Sequence, residues 1–124
     1  MKLYLQTADD WCRLWLDDKS FEWQSGRELS RGLLQFLQQS LEGEGRAWSD
    51  LTGIVVFRGP GSYTSLRIGI TVVNTLADSL QIPIVGADGD DWRQKGEKLL
   101  RQQTTSQIIT PIYHQAAVIT EPRK

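Results

Sequence analysis

The 124-residue chain has few of the side chains that most often carry chemistry. It contains one cysteine, Cys12, and one histidine, His114, so no pair of either residue has metal-ligand spacing. A lone cysteine cannot form an internal disulfide, which is typical of a reducing compartment. No apolar run is long enough for an export signal or a membrane span. We therefore expect a cytoplasmic protein with no membrane partner, no metal and no cofactor.

The chain also lacks a large excess of positive or negative charge. The formal net charge is −1, which excludes a strong overall field that would attract nucleic acid or an anionic membrane. Hydrophobic residues make up 40% and charged residues 23% of the chain, as in ordinary globular proteins. The length suits a single domain that buries roughly two-thirds of its unfolded surface.

The first 24 residues predict three short strands joined by tight turns. Lys2–Gln6 alternates apolar and polar residues, and residues 11–16 and 20–24 are rich in strand-forming side chains. Such a pattern indicates an antiparallel meander. Trp11 and Trp15 fall on the face opposite the apolar positions of the second strand, so we expect later elements to cover them, with an exposed aromatic patch as the alternative.

The centre of the chain predicts a βαβ unit. Residues 54–57 form a continuous apolar run, typical of a strand buried on both faces. The sequence GPGSYTSLRIG follows at residues 59–69, where two glycines permit positive φ and a proline cannot donate to a ladder. Ser62 or Thr64 can cap the helix predicted over residues 64–80, and residues 83–86 supply the next strand.

Two helices are predicted in this region, one before the βαβ unit and one within it. The first, over residues 26–41, has one apolar stripe: Leu29, Leu33, Phe36, Leu37 and Leu41. The second has a core stripe of Leu66, Gly69, Ile70, Val73, Ala77 and Leu80, and a further stripe of Ile68, Val72 and Leu76. Together its stripes span about 200° of the helix. One side must therefore face the sheet, and the other the first helix, a later layer or another protein.

Candidate chemistry is sparse. The glycine turn could cradle a phosphate at a helix N-terminus, but it matches neither a Walker motif nor GxGxxG, so we favour close backbone packing. Nucleophilic catalysis by Ser62 or Thr64 would need a base, and His114 is the only histidine.

A third predicted helix, over residues 91–103, carries the basic residues Arg93, Lys95, Lys98 and Arg101. We interpret them as a solvated face rather than an RNA contact.

The region around residues 59–69 resembles the TsaB family of tRNA threonylcarbamoyladenosine biosynthesis. The family motif is matched by Gly59, Pro60, Gly61, Ser62, Thr64, Leu66, Arg67, Ile68 and Gly69. The sequence IPIVG at residues 82–86 matches the strand that follows the family's helix, and the resemblance covers roughly residues 1–88. Gln6 is a departure, because related ATPases carry an acid there that organises metal and nucleotide.

The resemblance implies an α/β fold of the actin-like ATPase, or ribonuclease H-like, class. We expect a mixed sheet with an antiparallel meander and then a βαβ unit, and helices packed on the sheet. Residues 1–110 would form one domain of the family's N-terminal type and residues 111–124 a tail, with the family's second domain largely absent. A further short strand is predicted at residues 107–110.

The resemblance also implies a non-catalytic subunit that supports a TsaD-like transferase, together with a TsaE-like ATPase, and contacts tRNA only indirectly. In the family, the two helices of the first domain pack against the equivalent pair in TsaD. The predicted interface comprises Leu33, Phe36, Leu37, Ile68, Val72 and Leu76, facing either a TsaD-like partner or a second copy of the chain. Two alternatives stay open: a nucleotide- or phosphate-binding domain that uses residues 59–64, and a stand-alone homodimerisation module.

Overall fold

The structure, a computed structural model, describes residues 1–102. In this part of the chain it contains five strands and three α-helices. They are β1 (Lys2–Gln6), β2 (Trp11–Leu16), β3 (Lys19–Gln24), α1 (Leu29–Gly43), β4 (Gly53–Phe57), α2 (Tyr63–Leu80), β5 (Ile84–Ala87) and α3 (Trp92–Gln102). Single 3-10 turns precede α1, at Gly26–Glu28, and β4, at Trp48–Asp50.

All five strands form one mixed sheet in the order β3-β2-β1-β4-β5. The first three strands pair antiparallel, as the predicted meander requires, and β1, β4 and β5 run parallel. The register places Leu3 of β1 between Leu16 of β2 and Ile54 of β4. The predicted βαβ unit is confirmed, because α2 connects two neighbouring parallel strands.

Strand β4 is buried along its whole length, which explains its unbroken apolar sequence. One face of the sheet packs under α1 and α2 and contributes Leu3, Leu5, Leu14 and Val56 to the larger core cluster. The helices add their own apolar residues to the same cluster: Leu29, Leu33, Leu37, Leu41, Ile70, Val73 and Ala77. Fully burying a leucine, isoleucine or valine side chain contributes about 1.5–3 kcal/mol to the free energy of unfolding.

The other face of the sheet is covered by α3. Its Trp92 makes edge-on contacts with three aromatic rings, at centroid distances of 6.4 Å to Tyr4, 5.8 Å to Trp15 and 5.6 Å to Phe57. The guanidinium of Arg93 lies 4.3 Å from the centre of the Trp15 ring. The expectation that later elements cover the tryptophans is therefore confirmed for Trp15, whereas Trp11 keeps 38% of its surface exposed.

The helix and strand bounds differ from the predictions mostly at the ends. Helix α1 begins at Leu29 rather than at residue 26, because residues 26–28 form a 3-10 turn in which Gly26 has a φ of +48°. Strand β5 begins at Ile84, but the carbonyl of Pro83 still accepts the amide of Ile54 at 3.0 Å. The strand predicted at 107–110, the proposed tail and His114 all lie outside the described residues.

None of the helices within residues 1–102 is both long enough and apolar enough to cross a membrane. Helix α2 has 18 residues, and hydroxyl and charged side chains interrupt its apolar sequence.

Cys12 provides a test of how tightly the larger core is closed. Its side chain is fully buried, and this burial raises the pKa of the thiol from 9.0 to about 12. Since the reactive species is the thiolate, we expect alkylation of the native protein at pH 8 to be at least about a hundredfold slower than alkylation of the urea-unfolded chain. Mass spectrometry after iodoacetamide treatment measures both rates. Equal rates would show that the core opens freely.

Candidate functional site

The turn between β4 and α2 contains the glycine-rich motif. Gly59 has a φ of +125°, a conformation that favours glycine, and the Gly59–Pro60 peptide bond is cis. Ser62 is the N-cap of α2, since its Oγ accepts a hydrogen bond from the amide of Ser65 at 3.4 Å. The amide of Leu66 donates to the carbonyl of Ser62 at 2.9 Å, which begins the helical pattern. Of the two predicted caps, Ser62 is therefore the one used.

The same turn packs tightly against the end of β1. The amide of Ser62 donates to the carbonyl of Ala8 at 2.8 Å, and Thr7 Oγ1 donates to the carbonyl of Ser65 at 2.8 Å. A Cβ on Gly61 would lie 2.7 Å from Ala8 Cβ, and a Cβ on Gly69 would lie 2.9 Å from Thr7 Cγ2. Both glycines are thus needed for close contact between α2 and β1, as we favoured from the sequence.

A cleft of about 300 Å³ lies at the carboxyl ends of β1 and β4, where α/β proteins commonly bind ligands. Its lining comprises Gln6, Phe57, Pro60, Gly89, Asp90 and Trp92. No lysine or arginine is among these residues. The Asp90 carboxylate would repel a phosphate, and the Gln6 carboxamide cannot supply the charge that a nucleotide-bound metal needs. The described lining of this cleft therefore gives little support to nucleotide binding.

The basic residues of α3 have partners nearby. Lys95 lies 3.5 Å from Asp88 and 3.4 Å from Asp91, and Arg101 lies 3.7 Å from Glu97. Arg93 is placed over Trp15, as described above. Two of the four basic residues are therefore paired with acids, which offsets charge that RNA phosphates would require and favours the solvated-face interpretation over an RNA-binding patch. Within residues 1–102, His, Cys, Asp and Glu side chains form no group of three able to hold a metal ion.

The largest concave surface among the described clefts is a groove between α1 and α2, which we call the α1–α2 groove. It consists of two depressions, of about 320 Å³ and 540 Å³, that share Ser30, Thr71 and Val72. The remaining lining residues are Tyr63, Thr64, Arg67, Ile68, Arg31, Leu34, Thr75, Leu76 and Ser79. Leu34 is 53% exposed and Tyr63 48% exposed, whereas most residues of their size in this chain are covered.

The side chains of the α1–α2 groove are of the kind that bind another protein. Its lining combines the aliphatic side chains of Leu34, Val72 and Leu76 with the hydroxyl groups of Ser30, Thr71 and Thr75. Arg31 and Arg67 supply the charge, and the lining contains no carboxylate. A lining of apolar and polar side chains with few charges is typical of protein–protein interfaces.

Three predicted interface residues lie in this groove. Ile68, Val72 and Leu76 line it and are only partly buried, so the second apolar stripe of α2 lies where α1 and α2 meet. Whether they contact a partner stays a prediction.

The prediction was wrong for two leucines of α1. Leu33 and Leu37 have no exposed surface, because they point into the core beneath the helix. Phe36 is partly buried and packs against Trp23 with ring centroids 5.4 Å apart, on the flank of α1 away from the groove. Leu34 was missed, although an apolar residue outside the main stripe was a usable signal.

A protein-family model described as TsaD, tRNA N6-adenosine threonylcarbamoyltransferase, matches residues 24–88, slightly more than half of the chain. The chain belongs to this family. The match includes β4, the glycine turn and α2, together with α1 and β5. It therefore covers both helices of the α1–α2 groove.

Curated relatives place the chain with the TsaB proteins. It is 33% identical over 106 residues to the tRNA threonylcarbamoyladenosine biosynthesis protein TsaB of Escherichia coli, which covers 76% of this chain and 45% of that protein. It is 66% identical over 35 residues to TsaB of Bacillus subtilis, covering 28% of this chain and 15% of that protein. The chain thus spans less than half the length of these TsaB relatives.

A solved structure shows the same architecture. YeaZ from Pseudomonas aeruginosa aligns with a TM-score of 0.63 and 28% identity, over 77% of this chain and 49% of that chain. The predicted fold class is confirmed: a TsaB-family α/β fold of the actin-like, ribonuclease H-like class, with a mixed sheet and helices on both faces.

Gly69→Ala tests whether the motif serves packing. The new methyl group would fall on the buried, hydrogen-bonded Thr7 side chain, and the overpacking should outweigh the gain of about 1 kcal/mol in helix propensity. We expect a net loss of about 1–3 kcal/mol in the free energy of unfolding, measured by urea denaturation.

Gly43→Ala is the matched control, because a Cβ there meets nothing within 4 Å. It should be neutral or stabilising by up to about 1 kcal/mol. Equal effects of the two substitutions would contradict the packing role.

Proposed function

We propose that the chain is a non-catalytic partner subunit in the modification that places threonylcarbamoyl on tRNA adenosine, and that its α1–α2 groove binds a TsaD-like protein. The observation that supports this proposal most strongly is the groove itself, an aliphatic surface formed by the two helices within the matched family region. Relatives named TsaB are biosynthesis proteins for threonylcarbamoyladenosine, and other relatives are named as the transferase. The proposal joins that family relationship to the exposed surface.

The charges of the groove indicate what its partner should present. Leu34, Val72 and Leu76 would be covered by an apolar helical face, since packed helices bury such side chains at distances of about 8–10 Å between axes. Arg31 already lies 3.7 Å from the Glu28 carboxylate. Arg67 lies 3.5 Å from the Tyr63 hydroxyl, and the groove lining contains no carboxylate, so a carboxylate on the partner's face would pair with Arg67. A second copy of the chain could cover the same apolar residues, so we treat a homodimer as the competing occupant.

The remaining features of the proposal follow from the same role. Residues 1–110 would act as one domain of the TsaB N-terminal type. A TsaE-like ATPase would join the same cytoplasmic complex, and tRNA would be contacted through the transferase. The absence of lysine and arginine from the lining of the carboxyl-end cleft supports a subunit that leaves the chemistry to its partner.

Leu34→Glu tests the proposed interface. Leu34 is 53% exposed, so a carboxylate there should leave the fold intact but place a charged group where the partner's apolar face would pack. We expect at least about a tenfold weaker affinity for the TsaD homologue of the same organism, measured by titration calorimetry.

Val72→Glu should abolish co-purification with that homologue, because Val72 lies where the two depressions of the groove meet. Gln94→Glu makes the same change in charge at an exposed residue of α3, on the other face of the sheet, and serves as the control. Unchanged binding by both groove variants would refute the proposal. Light scattering of the isolated chain would identify the homodimer if the groove variants convert a dimer to a monomer.

A nucleotide-binding function is the second candidate, and the cleft at the carboxyl ends of β1 and β4 is the observation in its favour. The partner-subunit proposal predicts no saturable binding of ATP in the presence of magnesium. Gln6 and Asp90 disfavour the nucleotide for the electrostatic reasons given above. Calorimetric titration of ATP with magnesium into the isolated chain decides between the two. Saturable binding that Asp90→Lys alters would favour the nucleotide function.

A further inference from the structure

Three sides of helix α1 face different parts of the structure: α2, the sheet and β3. At 100° per residue, Leu34 and Phe36 point about 160° apart, with Leu33 and Leu37 directed to the sheet between them. The Leu34 side faces α2 and lines the groove. The Phe36 side faces β3, where the Trp23 ring lies 5.4 Å from it at an interplanar angle of 37°.

Trp23 makes a second, closer contact on this side of α1. A Cβ added to Gly32 would lie only 2.6 Å from Trp23 Cη2 and 3.0 Å from its Cζ2. The six-membered ring of the indole therefore reaches the helix backbone, and an added methyl group at residue 32 would require the ring or the helix to shift. Gly32 has an ordinary helical conformation, so its role here is space rather than a positive φ.

We propose that Trp23 is a positioning residue that sets the distance between α1 and α2, and thereby the width of the α1–α2 groove. Contact of the leucine stripe with the sheet is non-directional and permits α1 to slide sideways. Helix α2 limits this movement on one side, and Trp23 limits it on the other. The consequence for partner binding rests on the proposed function, whereas the spacing itself does not.

Opposite displacements follow from two substitutions. Trp23→Leu removes the ring that rests on Gly32, so α1 moves toward β3 and the groove widens. Gly32→Ala adds a methyl group to the helix where it contacts the Trp23 ring, so α1 moves toward α2 and the groove narrows. Combining them refills part of the removed volume and brings the spacing back toward that of the unsubstituted chain. A residue that merely adds stability would not produce changes of opposite sign with mutual rescue.

Cysteine cross-linking measures the spacing directly. Leu34 and Thr75 line the same depression from α1 and α2, so both are replaced by cysteine. Cys12 can remain, because it is buried and its thiol has a raised pKa. Bis-maleimide and bis-thiosulfonate reagents of graded length are applied to the isolated, folded chain. We expect the preferred reagent to be longer with Trp23→Leu, shorter with Gly32→Ala and unchanged in the combined variant.

A matched control uses Trp48→Leu, which alters another partly buried tryptophan packed on the same core. It should lower stability without changing the preferred reagent. The same length preference in all variants would overturn the positioning role. Circular dichroism identifies any variant that does not fold, and Trp23→Phe then replaces Trp23→Leu as the milder ring truncation.

Partner affinity provides the second readout. We expect Trp23→Leu and Gly32→Ala each to weaken binding to the TsaD homologue at least about tenfold, with recovery in the combined variant. Altered cross-linking with unaltered affinity would count against the groove as the binding surface, that is, against the proposed function. Unaltered cross-linking in both single variants would instead count against Trp23, whatever the affinity.

Discussion

Close contact between the end of β1 and the start of α2 is the constraint on which the rest of the structure depends. Strand β1 pairs with both β2 and β4, so it joins the antiparallel and parallel halves of the sheet. Helix α2 reaches it because Gly61 and Gly69 leave room for Ala8 and Thr7. The Ser62 amide is occupied by the Ala8 carbonyl in this arrangement. A turn that resembles an anion site therefore uses one of its donors to hold the fold together.

The second face of the sheet is closed in a different way. Helix α3 places Trp92 among Tyr4, Trp15 and Phe57, and Gly96 allows its backbone to lie against the Val55 side chain. Two of the four basic residues of α3, Lys95 and Arg101, lie close to acids. Four large apolar side chains within residues 1–102 are exposed, and the α1–α2 groove contains two of them, Leu34 and Tyr63. The proposed partner would remove Leu34 from water.

Most of the fold could be predicted from local patterns. The alternation in β1, the apolar run of β4 and the two stripes of α2 each indicated the element that formed, because burial requires those periods. The glycine motif supplied the topology around α2. Helix α1 was placed less well. Its apolar stripe predicted a helix correctly, but Leu33 and Leu37 were assigned to a partner although the sheet already covers them.

Sequence alone determined which segments are helix or strand, the βαβ connection at the glycine motif, and the surplus of apolar residues on α2. These features depend on the spacing of apolar residues along the chain, because backbone geometry gives helices and strands different periods. Only the tertiary structure decided which apolar residues remain exposed, because burial depends on what packs above each residue. It exchanged Leu33 and Leu37 for Leu34 in the candidate interface, and placed Trp23 against Gly32, a contact between residues whose spacing in the chain gives no sign of it.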